Sequence, residues 1–200
     1  MKPRTIPLNT IAPQPWKNDG GQTRELLRWP QASNVPWQLR ISIADIETDG
    51  SFSTFAGVDR WFVVLDGAGV DLEFAGKPVR QLSTTAPLRF DGGAPPDCKL
   101  IDGPTRDLNL MVQRGVGNMQ MALHRLAWHS AATTSQRGLF TTVAGYLHVG
   151  TKSFGPIATN TLIWFDETSK LSTPLTFAAI LNSSQAVGWW LSFTPRECGK

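Results

Sequence analysis

The sequence predicts an all-β chain built of two fused, barrel-like halves, on three observations: alternation of apolar and polar residues, dense turn chemistry and a weak internal repeat. Its 200 residues are 41% hydrophobic and only 18% charged, with 18 Gly and 14 Pro. That balance suits many short strands joined by turns, and it excludes a coiled coil or a disordered chain.

The first clear strand is Trp37 to Ala44. Trp37, Leu39, Ile41 and Ile43 point to one face, and Gln38, Arg40, Ser42 and Ala44 to the other. Arg60 to Leu65 is nearly continuous apolar sequence, Gly67-Ala68-Gly69 makes a turn, and Val70, Leu72 and Phe74 then alternate with Asp71 and Glu73, which reads as a hairpin. Asp107 to Val112 is another strand, with Leu108, Leu110 and Val112 on one face and Asp107, Asn109 and Met111 on the other. In the second half the same reasoning gives short strands at Leu139 to Val143, Tyr146 to Val149, Thr161 to Phe165, Ala178 to Asn182 and Trp189 to Phe193. Adjacent strand residues face opposite ways, so Trp189 and Trp190 cannot form one stacking platform and are expected in the core.

The repeat appears when Trp61-Phe62-Val63-Val64-Leu65 is laid on Leu139-Phe140-Thr141-Thr142-Val143, which also brings Gly67 onto Gly145. Arg89-Phe90-Asp91 then falls close to Trp164-Phe165-Asp166. A duplicated antiparallel unit follows, each sheet closing on itself to remove its exposed edges. The expected halves are residues 1–127 and 128–200, joined within the Ser-, Ala- and Thr-rich stretch from Ala127 to Gln136. Residues 126–200 hold eight of the thirty-five charged side chains, so function is expected in the first half.

The formal charge is only +3, and no Lys or Arg run forms a stripe for a phosphate backbone, which argues against nucleic acid as a partner. Arginine outnumbers lysine twelve to seven, and its planar fork suits carboxylates. Neither a leader core between Met1 and Trp16 nor a membrane-length apolar run occurs, so a cytoplasmic chain without a membrane partner is expected. Cys98 and Cys198 lack the spacing of a disulfide framework or zinc knuckle and are expected as reduced thiols. A homodimer is compatible with apolar outer strands, and no residue marks its contact surface.

The densest polar segment runs from Pro15 to Glu25. Its glycine spacing does not match a phosphate loop, and no strand is expected before it. It reads either as a turn explained by Asn18-Asp19-Gly20-Gly21 or as a segment lining a pocket. A second Gly- and Ser-bearing segment, Asp49 to Arg60, leads into the strand from Trp61. Taken in series, Pro15-Trp16-Lys17-Asn18, Gly21, Thr23-Arg24-Glu25, Arg40 to Ala44, Gly50 to Ser53, Gly57 to Arg60 and Asp107 to Met111 resemble the HutD/Ves family. Asp19 departs from that pattern, which usually has glycine there, and adds a negative charge beside the expected pocket.

The resemblance implies a bicupin fold, two RmlC-like jelly-roll barrels in one chain, and a role beside bacterial histidine degradation. The metal frame of cupins can then be laid on the chain from Gly67. Arg60 falls in the glutamate slot, the first histidine slots fall on Ser53 and Phe55 or on Thr54 and Ala56, and the last falls near Pro95. No slot holds an imidazole or carboxylate, so no metal and no other cofactor is expected, and a guanidinium in place of a carboxylate reverses the local charge. His124, His129 and His148 are spaced for core or surface roles. Ser51 and Ser53 lack a neighbouring base that would mark a nucleophile.

These readings converge on Arg40 and Arg60. An arginine inside a barrel must be compensated, either by a carboxylate of the protein (Asp45, Asp59 or Asp107 for Arg40) or by that of a ligand. Asp59 points away from the face that carries Arg60 and is less able to neutralise it. The expected function is non-catalytic binding of a small carboxylate, with N-formylglutamate or a related intermediate as candidate. Arg40 and Arg60 hold it, with Lys17, Asn18, Thr23, Ser53, Asn109 and Asp107 in support. The alternative is a metal-independent cupin enzyme, an isomerase or hydrolase acting on the same acid.

Overall fold

Branched and aromatic residues at every second position, broken by glycine turns, leave the chain little choice but short strands. The computed structural model describes residues 2–32, 34–123, 136–166, 174–180 and 188–196. Among them there is no α-helix, only one 3-10 turn at Leu8–Thr10. The strands are β1 (Arg4–Pro7), β2 (Gln14–Pro15), β3 (Gly21–Trp29), β4 (Leu39–Ile46), β5 (Gly50–Ser51) and β6 (Val58–Asp66). There follow β7 (Val70–Phe74), β8 (Lys77–Gln81), β9 (Leu88–Asp91), β10 (Asp97–Leu100), β11 (Thr105–Gln113) and β12 (Gly117–Leu123). The remainder are β13 (Gln136–Thr141), β14 (Gly145–Val149), β15 (Lys152–Ile157), β16 (Thr161–Phe165), β17 (Leu175–Ala179) and β18 (Gly188–Pro195).

The chain divides into two compact units, Ile11–Val116 and a second made of Met1–Thr10 with Gly117–Lys200. This differs from a boundary at 127/128. The first strand pairs with β16, and β12 pairs with β18, so hydrogen bonding carries both ends of the first half into the second unit. The expected joining segment lies largely outside the described residues, as do His124, His129 and Cys198.

The Ile11–Val116 unit is a six-stranded sheet, ordered β2-β3-β4-β11-β6-β9, and a four-stranded sheet, ordered β5-β10-β7-β8. They meet through a core of Ala44, Ile46, Phe62 and Val64 from the first sheet and Val70, Leu72 and Cys98 from the second. The second unit has sheets β1-β16-β13-β18-β12 and β15-β14-β17, with Leu139, Ile163, Phe165 and Trp190 packed against Leu147, Ile157, Leu175 and Phe177. Each unit is thus a pair of facing antiparallel sheets, the jelly-roll arrangement expected from sequence. In the Ile11–Val116 unit one edge of each sheet is only two residues long, β2 and β5, which limits what another strand could pair with there.

The repeat is visible in connectivity. Strand orders β4-β11-β6-β9 and β12-β18-β13-β16 correspond, as do β10-β7-β8 and β17-β14-β15. Trp189 and Trp190 stand opposite Phe140 and Leu139 and are both buried, as their adjacent positions required.

Candidate functional site

Strand register builds the site. Met111 on β11 stands opposite Arg40 on β4 and opposite Arg60 on β6; two residues on, Asn109 stands opposite Ser42 and Phe62; then Asp107 opposite Ala44 and Val64. Side chains repeat on one face with period two, so these three rungs all face the second sheet of the unit. Phe62, Ala44 and Val64 of the inner two rungs belong to the apolar core. The outer two rungs line a cavity of about 440 Å³ that reaches Ala44 of the third, a size that suits a small metabolite.

Arg40, Arg60, Lys17, Asn18, Thr23, Ser53 and Asn109 all line this cavity. Asp107 does not: it is completely buried beside the lining residue Ala44. Sequence reasoning missed Gln14, Trp16, Ser42, Phe52, Phe55 and Met111, which also line it. The signal for Ser42 and Met111 was their alternation with buried residues, and that for Phe52 and Phe55 their place in the Ser-rich segment before β6.

Arg60 is 7% exposed. Its Nη2 donates to Asn109 Oδ1 at 2.7 Å, while its Nε has no hydrogen-bond partner among the described residues. Phe52, Phe90 and Phe55 surround the guanidinium at 4.9, 5.1 and 5.9 Å from their ring centroids, a cation–π cage. No carboxylate among the described residues forms an ion pair with it. Burial first, and repulsion from Arg40 second, pull its pKa down to about 10, against the attraction of Asp107, so it stays charged at neutral pH. Asp59 is committed elsewhere, accepting from Arg89 at 2.7 Å and Arg114 at 2.9 Å.

Arg40 is paired, and by a carboxylate that sequence reasoning did not consider. Its Nε donates to Glu25 Oε2 at 2.8 Å; Asp45 is held instead by Gln22, Arg24 and Arg106. A register shift in β3 between Glu25 and Leu27 is what a β-bulge produces, and pairings of this kind are not visible in local sequence. The outward nitrogens of Arg40 are less well served: Nη1 meets the Met111 sulfur at 3.8 Å, a weak acceptor.

The polar loop proves to be both turn and pocket wall. A short strand, β2, does precede it, and Trp16 N donates to Gly21 O at 2.9 Å to close the hairpin. Gly21 is required there, because a Cβ would sit 2.2 Å from the Asp45 carbonyl oxygen. Trp16 Nε1 donates to Thr23 Oγ1 at 2.7 Å, which fixes the indole against the cavity. Lys17 and Asn18 sit exposed at the mouth. Asp19 adopts φ 53° and is not part of the lining, so its charge does not enter the cavity.

The lining presents guanidiniums, an ammonium, hydroxyls and amides, and none of the imidazoles or carboxylates that a transition metal needs. Two sandwiches with matching strand orders, one holding a cavity within its sheets, define a bicupin. The HutD family model matches residues 8–181, and the chain belongs to that family. It is 44% identical over 97 residues to an uncharacterized 21.2 kDa protein in the hutC 3' region of Pseudomonas putida, covering 48% of this chain and 51% of that one. It is 34% identical over 124 residues to protein Ves of Cronobacter sakazakii, covering 62% and 66%. The chain thus spans between half and two thirds of the length of these curated relatives. HutD from Pseudomonas fluorescens SBW25, solved in a formate condition, superposes with a TM-score of 0.80 at 26% identity, covering 97% of this chain and 99% of that one. The Escherichia coli pirin YhhW, solved with nickel(II), shares the fold at a TM-score of 0.60 and 11% identity, covering 96% and 99%.

Proposed function

We propose that this chain is a cytoplasmic, non-catalytic receptor for a small carboxylate, acting beside histidine degradation, with N-formylglutamate as the leading candidate. The observation that carries the reading is Arg60, a buried guanidinium whose Nε has no hydrogen-bond partner and which has no ion-pair partner among the described residues. A buried charge left unpaired costs several kcal/mol, roughly 3–5 when a partner is removed. A ligand carboxylate would offset that cost, and the Phe52, Phe55 and Phe90 rings hold the guanidinium ready for it.

Arg40 and Arg60 flank Met111 in register, two strand spacings or roughly 10 Å apart at Cα. Summing Arg40, Arg60 and Lys17 against Glu25 leaves an excess of two positive charges, which favours an acid with two carboxylates. Formylglutamate has that charge, and Ser42, Ser53 and Asn109 offer donors and acceptors for its amide. The genomic description of the Pseudomonas putida relative supports the link to histidine utilisation.

The test is thermal unfolding with N-formylglutamate, glutamate, urocanate, formate and neutral sugars. At about a hundredfold excess over its dissociation constant a bound ligand adds ~2.7 kcal/mol, roughly 5 °C or more for a chain of this size. Formylglutamate should raise the midpoint, sugars should not, and Arg40→Ala should abolish the shift. Consumption of the acid on incubation would make the protein an enzyme instead. The absence of a shift with every acid would overturn the carboxylate reading.

A further inference from the structure

Asp107 is the buried group that ligand binding by itself does not use. It is 0% exposed and sits between Ala44 on β4 and Val64 on β6, two residues below Asn109 on the same face of β11. Its Oδ2 accepts from Thr105 Oγ1 at 3.1 Å, while its Oδ1 has no partner among the described residues. One hydroxyl is a poor substitute for water around a carboxylate, so an ionised Asp107 would be under-compensated in this core.

The groups with which it interacts are few. On β6 there is Arg60, which shares the Met111 rung and whose Nη2 reaches Asn109, in the rung next to Asp107. Cys98 on β10, a thiol pushed up to about 12 by burial, by Asp107 and by Asp49, offers no charge at neutral pH. Asp45 on β4 is a like charge, already held by arginines. Burial above all, and Asp45 next, keep the carboxyl well above the usual carboxylate range, against the Thr105 hydrogen bond and the attraction of Arg60.

We propose that Asp107 is an internal competitor for Arg60: as a neutral acid it leaves the guanidinium to the ligand, and once ionised it neutralises the guanidinium and weakens ligand binding. The proposal rests on the carboxylate reading above. Its sign follows from linkage. A bound anion near Arg60 disfavours a second anion at Asp107, so binding favours the protonated acid, takes up a fraction of a proton, and weakens as pH rises through the range in which Asp107 ionises. Arg60, pulled down only to about 10, keeps its own charge at neutral pH.

The experiment is calorimetric titration of the intact chain with N-formylglutamate and with glutarate between pH 5.5 and 8.5, in paired buffers of different ionisation enthalpy. Wild type should lose affinity as pH rises, up to tenfold per unit, with proton uptake. Asp107→Asn, which cannot ionise, should bind with a flat profile and no uptake. Parallel profiles in the two proteins, both binding, would overturn the proton linkage alone, while no binding at any pH would overturn the carboxylate reading and this inference with it. Should Asp107→Asn not fold, the wild-type proton count decides: zero uptake at every pH contradicts the proposal.

Discussion

At the scale of single residues, the protein keeps an arginine where an apolar side chain would pack better. Exchanging buried ionic groups for well-packed apolar residues often gains about 1–4 kcal/mol, and the cage of Phe52, Phe55 and Phe90 is ready to receive a thioether. Arg60→Met should therefore unfold at a higher temperature than wild type without ligand and show no shift with any acid. A variant that instead loses several degrees would mean that the guanidinium holds the core together rather than waiting for a partner. Arg60 was legible in the sequence because it falls in the glutamate slot of the cupin frame and Asp59 beside it had to point elsewhere. The partner of Arg40 was not, since Glu25 reaches it only through an irregularity in strand pairing. Asp107 was legible as a polar residue on an inward face, but how deep that face runs depends on the second sheet covering it.

At the scale of elements, the loop between β2 and β3 does two tasks with one geometry. Its backbone closes a hairpin, and its side chains Trp16, Lys17 and Asn18 wall the cavity. Gly21 couples the tasks, because a methyl group there meets the Asp45 carbonyl oxygen, a backbone atom that cannot move without disturbing β4. Gly21→Ala should lower stability by roughly 1–3 kcal/mol, the usual cost of forcing atoms into a packed site. It should also weaken ligand binding, with Trp16 fluorescence reporting the displaced indole. Unchanged stability and affinity would show that the loop adapts freely. Alternation placed the strands at 70–74 and 161–165 at their observed bounds, while Ala178 to Asn182 was expected three residues late. Short strands such as β5 and β10 carry too few residues for a period to declare itself.

At the scale of the whole molecule, duplication leaves two sandwiches with the same strand order and unequal charge. The charged residues gather in the Ile11–Val116 unit, which is also the one whose sheets hold the cavity. That asymmetry was legible from composition alone, whereas the transfer of β1 and β12 into the second unit was hidden because long-range pairing leaves no local mark. If the unit is an anion receptor, recognition must depend on the charge of the ligand and not on its shape. The most direct test is calorimetric titration of N-formylglutamate beside its diamide, which keeps the carbon skeleton and nearly the same shape but replaces each carboxylate with an uncharged amide. The acid should bind and the diamide should bind at least a hundredfold more weakly, whereas equal affinity for the two, or binding of the diamide alone, would contradict a site organised around Arg60.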